Sequence, residues 1–230
     1  MENILKIYKR LNNSYVKQRI LLVYLIAQNT ILSLAMLIFA NVIISNGQIN
    51  GELDYSQIRY FYTFAIIALF VLVLIFAPIF LSRTLNTLYK KNIIEHLLSA
   101  KVELSEIVYA VFLRGTSILI ILLVSSFPII VISFYFGGFG IIKMLKLVGI
   151  IISYAVFFSS ICLYISTKSI DENASTIISY VIGIILTLLN IYYLNYFLNS
   201  RFLIVFYVLF NIIMSLILLS LSKKTSIFNA

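Results

Sequence analysis

Six long apolar runs hold no Asp, Glu, Lys, Arg or His in their middles, and this pattern restricts the fold more than any other feature of the chain. They cover residues 20–44, 60–81, 107–133, 142–166, 174–189 and 202–221. Helix crosses a bilayer core with roughly 20 apolar residues, and it satisfies its own backbone hydrogen bonds on the way. The pattern therefore predicts an all-α integral membrane protein with six transmembrane helices, built as one domain over residues 1–230. Composition agrees. Hydrophobic residues make up 62% of the chain and charged residues 11%, against roughly 25% charged in a soluble domain. So much apolar surface cannot be hidden in a soluble core of this size. The first run starts near Ile20 and is too long for a signal-peptide core, so it reads as a retained span.

The connections carry the polarity. Residues 1–19 are basic, and Ile4, Leu5, Tyr8 and Leu11 fall on one helical face, which predicts a short amphipathic N-terminal helix. Asn46-Gly47 is a turn signal after span one. Pro78 stands near the end of span two, where it kinks or finishes the helix. Residues 135–140 read as an aromatic turn. Residues 190–201, NIYYLNYFLNSR, read as a re-entrant hairpin or an aromatic belt. Arg114, in the first turns of span three, is expected to snorkel to the headgroups or to pair with Glu103 or Glu106.

The longest polar interruption is residues 83–106, with four of the seventeen basic residues. Leu85, Leu88, Ile93, Ile94, Leu97 and Leu98 recur there at helical spacing, with charges in the gaps. This predicts an amphipathic helix outside the bilayer, held by a partner protein or lying on lipid. Six spans put both termini on one side. That side, with residues 83–106, collects thirteen basic residues, including Arg114, and leaves four (Arg59, Lys143, Lys146, Arg201) opposite. Basic residues gather on the cytoplasmic side, so the termini and residues 83–106 are expected there.

Several chemistries find no support. An ion-driven carrier needs ionisable groups inside its spans. No Gly-rich phosphate loop followed by Lys-Ser or Lys-Thr occurs. No nucleophile with its base, and no metal-ligand motif, is visible, so no catalytic residue, cofactor or metal site is expected in this chain. His96 reads as a surface or partner-contact residue. Cys162 is the single cysteine, reads as a small buried hydrophobe, and excludes an intrachain disulfide. Gln28 and Asn29, near the middle of span one, read either as interhelical hydrogen bonds or as a polar spot on a substrate path.

The stretch Asn92-Ile93-Ile94-Glu95-His96-Leu97-Leu98-Ser99-Ala100-Lys101 resembles the loop motif of the six-helix permease subunits of ABC-2 type transporters. That motif runs Gly-Thr-x-Glu-x-Leu-Leu, a small pair, then Pro. Glu95, Leu97 and Leu98 match, Asn92 replaces the Gly, and Lys101 replaces the Pro. Tyr89-Lys90-Lys91 stands in place of an acid-rich cluster. The resemblance implies a cytoplasmic coupling helix between spans two and three, with Glu95, Leu97, Leu98, Leu88 and Ile94 as partner contacts. It also implies an exporter in which ATP and Mg sit on a separate cytoplasmic ATPase, a second permease subunit pairs with this one, and the location is the cell membrane, of bacterial plasma-membrane type. The charge-poor, aromatic spans suit a lipophilic or amphipathic cargo such as a small hydrophobic peptide or drug. The alternative is a non-transporting membrane scaffold or immunity protein that binds a cytoplasmic partner through residues 83–106.

Overall fold

The computed structural model describes residues 15–50, 58–90, 103–135, 141–169 and 171–224, and these form helices with no strand among them. The helices are α1 (Tyr15–Asn50), α2 (Ile58–Phe80), α3 (Ser82–Lys90), α4 (Leu104–Tyr135), α5 (Ile141–Lys168), α6 (Glu172–Asn199) and α7 (Arg201–Lys224). Six stretches are long and apolar enough to cross a membrane: Leu21–Ser45, Thr63–Leu88, Ser105–Val131, Ile142–Lys168, Asn173–Leu194 and Phe202–Ser222. The chain is a multi-pass helical membrane protein. The amphipathic N-terminal helix and the second half of the expected coupling helix lie outside the described residues.

The second span differs from its expected form. It does not end at Leu81 but runs on through α3. Pro78 has no N–H, so the ladder is short of one bond just before the joint. Leu81 is the single non-helical residue between α2 and α3, and the ladder resumes across it through Leu81 N–H to Ala77 O (3.0 Å) and Leu85 N–H to Leu81 O (3.1 Å). Residues 83–88, read from sequence as the start of a surface segment, instead continue the span, with Leu85, Asn86 and Leu88 buried and Arg83 exposed. One other expectation is corrected, and one open alternative is decided. Asn46-Gly47 does not turn, because α1 continues to Asn50. A helical Gly costs only about 1 kcal/mol, too little to stop a long helix. Residues 190–199 form no hairpin. α6 is continuous to Asn199, and the chain reverses at Ser200, whose N–H donates to Tyr196 O at 3.2 Å. Tyr192, Tyr193 and Tyr196 lie exposed on this end, which fits an aromatic belt.

Burial is uneven. It falls from 61% of the third span to 6% of the first. α2, α4 and α5 form the centre, α7 packs most extensively on α5, and α1 leans on α4 and α2 alone among its larger contacts. Phe70, Tyr154 and Phe158 fill the middle, with ring centroids 5.2 Å apart for Phe70–Tyr154 and 5.8 Å for Tyr154–Phe158. α6 reaches this cluster through Gly183. A Cβ there would stand 2.5 Å from both Phe158 Cζ and Leu74 Cδ1. α4 approaches the Leu81 joint in the same manner through Gly115, where a Cβ would meet Leu81 Cγ at 2.6 Å. Close approach at small residues is how helices bind one another in lipid, where apolar burial offers little drive.

Arg114 is 7% exposed. It shares the inward face of α4 with Ile107, Ala110, Val111 and Ile118, three, four or seven residues away. The expected snorkelling does not occur, because this face turns into the bundle.

Candidate functional site

Six small polar residues on three helices meet where the second span leaves the bundle. α3 contributes Ser82 and Asn86, α5 Cys162 and Ser166, and α6 Ser175 and Ser179. Each pair is spaced i, i+4, so both members lie on one helical face. All six are buried, none with more than 1% of its surface accessible. Asn86 Nδ2 donates to Ser175 Oγ at 2.7 Å. Ser166 Oγ reaches Asn86 Oδ1 at 3.0 Å and Ser82 O at 3.2 Å. Ser82 Oγ donates to Cys162 O at 3.0 Å and stands 3.4 Å from Ser179 Oγ. Ser179 Oγ returns to Ser175 O at 2.7 Å. The network closes without a charge and fixes α3 to the ends of α5 and α6.

Leu85 and Leu88, on the same short helix, are 0% and 8% exposed and belong to the core. Leu88 therefore contacts this chain's own helices. Ile94, Glu95, His96, Leu97 and Leu98 lie outside the described residues, directly after this root. Glu103 and Glu106 serve the start of α4. Glu103 N–H donates to Glu106 Oε2 at 3.4 Å, and Ser105 Oγ donates to Glu103 Oε2 at 3.1 Å. Carboxylates suit the positive end of a helix dipole.

Gln28 and Asn29 behave differently from each other. Gln28 joins α1 to α4, its Nε2 donating to Leu122 O at 3.0 Å and to Ser126 Oγ. It also lines a groove of about 260 Å³ between α1 and α2. The Leu122 carbonyl can only accept, which sets the orientation of the amide. Gln28 Oε1 and Asn29 Oδ1 are buried acceptors with no hydrogen-bond partner among the described residues.

A second set of polar contacts ties α5, α6 and α7 together deeper in the bundle. Tyr154 and Thr187 share a 2.7 Å hydrogen bond, Tyr207 donates to Asn190 Oδ1, and Asn211 Nδ2 meets Ser153 Oγ at 3.4 Å. At the other membrane face, Lys146 Nζ donates to Leu198 O at 2.9 Å, near the carbonyl end of α6. Cations are favoured at that end of a helix.

Sequence reasoning missed both polar sets because single serines and threonines inside apolar runs look unremarkable. The signal that was available is the i, i+4 pairing of small polar residues at the ends of three different spans. Among the described residues no group of three or more His, Cys, Asp or Glu could hold a metal ion. The arrangement can transmit force and exclude lipid from a polar joint, and it offers no nucleophile paired with a base. No protein-family model, curated protein or solved structure matches this chain.

Proposed function

We propose that this chain is the permease subunit of an ATP-driven ABC-2 type exporter, set in a bacterial plasma membrane with both termini cytoplasmic. Its cargo is lipophilic or amphipathic, of the class of small hydrophobic peptides or drugs. ATP and Mg are bound by a separate cytoplasmic subunit, and a second permease completes the assembly. The observation that carries the reading is the rooting of α3. The stretch following Lys90 leaves a helix whose buried polar face is bonded to α5 and α6. A force applied beyond Lys90 thus reaches three spans together, which is what a rigid-body coupling element requires. The placement of basic residues and the match at Glu95, Leu97 and Leu98 support the same reading.

Leu97 and Leu98 supply the apolar part of the seat for the ATPase, and Glu95 supplies the polar part. Full burial of each leucine is worth roughly 1.5–3 kcal/mol, less where a side chain stays partly exposed. The test is the Leu97→Ser/Leu98→Ser double variant in the purified complex. Expected are normal membrane insertion, weakened recovery of the ATPase subunit and loss of substrate-stimulated ATP turnover. A complex that assembles fully and still couples hydrolysis to export refutes the assignment. Recovery of a cytoplasmic partner without nucleotide hydrolysis favours the scaffold or immunity reading instead.

A further inference from the structure

α6 runs antiparallel to the second span and crosses its joint. The register is read from Gly183 against Leu74, Tyr180 on Ile75, Ser179 beside Ser82 and Ser175 bonded to Asn86. Two consecutive residues in this series take hold on opposite sides of Pro78. Tyr180 Oη donates to Ile75 O at 3.1 Å, before the proline. Ser179 Oγ stands 3.4 Å from Ser82 Oγ, after it. Ile75 and Ser82 are about 10 Å apart along a helix, so Ser179 and Tyr180 form a bracket over the joint.

The bracketed stretch is the weakest length of the second span. Pro78 has no N–H, so Leu74 O loses its helical donor, and the proline ring crowds that same carbonyl. Leu81 then leaves helical geometry. Sharp bends in long helices sit at such prolines, and hinge motion is absorbed by a few residues of this kind. The contacts on the two sides differ. After the joint, Asn86 and Ser82 are bonded inside a buried network to α5 and α6. Before it, the polar tie to α6 is the Tyr180 bond, at the surface of the bundle. That bond yields first when the joint flexes, because parting Asn86 from Ser175 would strand buried polar groups. We propose that residues 78–81 are a hinge and that Tyr180 is its latch. Bonded to Ile75 O, Tyr180 holds the second span at one angle. Released, it lets α3 and the ends of α5 and α6 fixed to it swing as one body against the part of α2 before Pro78. The coupling reading enters only as the source of the force. The hinge is tested without an ATPase, so its failure and the failure of that reading are told apart.

The test uses the full chain in lipid nanodiscs, with Cys162→Ala and spin labels on Ile67→Cys and Thr87→Cys. These positions lie about 30 Å apart along a continuous helix, and pulsed electron spin resonance reads the distribution of the distance between them. Tyr180→Phe keeps the ring and removes the hydroxyl, so it should broaden the distribution. Pro78→Ala returns an N–H to the ladder and should narrow it. In the Pro78→Ala background, Tyr180→Phe should have no effect on the width. Hydrogen exchange gives a second reading on the chain without labels. Tyr180→Phe should speed exchange of the amides of residues 79–85 about threefold, the equivalent of one average interhelical hydrogen bond in a membrane. Exchange in residues 150–160 should stay as it was. Superimposable distance distributions for Tyr180→Phe and its parent overturn the proposal, as does a Pro78→Ala width equal to that of its parent. Faster exchange spread evenly over α5, α6 and α7 overturns it too, since the hydroxyl would then be general glue. If Pro78→Ala fails to fold, the Tyr180→Phe comparison decides alone.

Discussion

Asn86 is the residue on which the α3 root depends most, and its replacement by Ala gives the sharpest test of that root. Asn86 is 1% exposed, donates to Ser175 Oγ and accepts from Ser166 Oγ. Asn86→Ala removes two interhelical hydrogen bonds. In membrane helices such bonds average about 0.6 kcal/mol each and reach about 1.7. Ser166 is not stranded, since Ser82 O remains within 3.2 Å of its hydroxyl. A small void adds to the loss, so the single variant should cost about 1–3 kcal/mol. A double-mutant cycle with Ser175→Ala isolates the pair from the void. Unfolding of the purified chain in mixed micelles, titrated with a denaturing detergent, gives all four free energies. The expected coupling is about 0.6–1.7 kcal/mol, because the bond is short and wholly buried. A coupling near zero, or a single variant as stable as the unmodified chain, would show that α3 is held by apolar packing alone. The force-transmitting role assigned to the root would fall with it.

Other substitutions separate the remaining claims. Gly183→Ala should cost about 1–3 kcal/mol in the same titration, since the new methyl meets a stacked Phe158 ring at the centre of the bundle; a neutral result would mean α6 is not held at that distance. Gln28→Leu should destabilise the docking of α1 by about 1 kcal/mol, whereas Asn29→Leu should be neutral or stabilising, because it removes a buried acceptor that has no partner among the described residues. Neither should change the range of exported substrates, and a changed range in an assembled complex would move that residue onto the transport path. Cysteines placed at the exposed Lys143 and Asp171, either side of α5, should label from opposite faces of the membrane with Asp171 cytoplasmic. Labelling of both from one face would sink the topology.

The six spans were legible because a bilayer imposes one strong, one-dimensional requirement, a long run without charge. Their ends were less so. Span two was read as stopping at Leu81 because Ser82, Arg83 and Thr84 break the apolar run. In the fold those polar residues sort by face, Ser82 and Asn86 turning inward to partners and Arg83 outward. Hydropathy averages over faces and cannot see this. Of the two readings open for Arg114, burial removes snorkelling for a related reason: a lone cation near a span end looks like a snorkelling residue until the neighbouring helices are in place. At Gln28 the interhelical bond, one of the two readings open from sequence, is present. Pro78 was informative, since a missing N–H is a local fact that packing cannot restore.

The pairing of α5 with α7 bears on how the protein is made. α7 begins about sixty residues after α5, so a ribosome adding roughly 5–20 residues per second inserts α5 some 3–12 seconds before its main neighbour exists. During that interval Ser153, which ends within 3.4 Å of Asn211, faces lipid or a membrane chaperone. The last helix acts as the closing piece of biogenesis. Truncations or charge insertions in α7 should be seen first as rapid proteolysis of an otherwise inserted five-span chain, before any assay of function registers them.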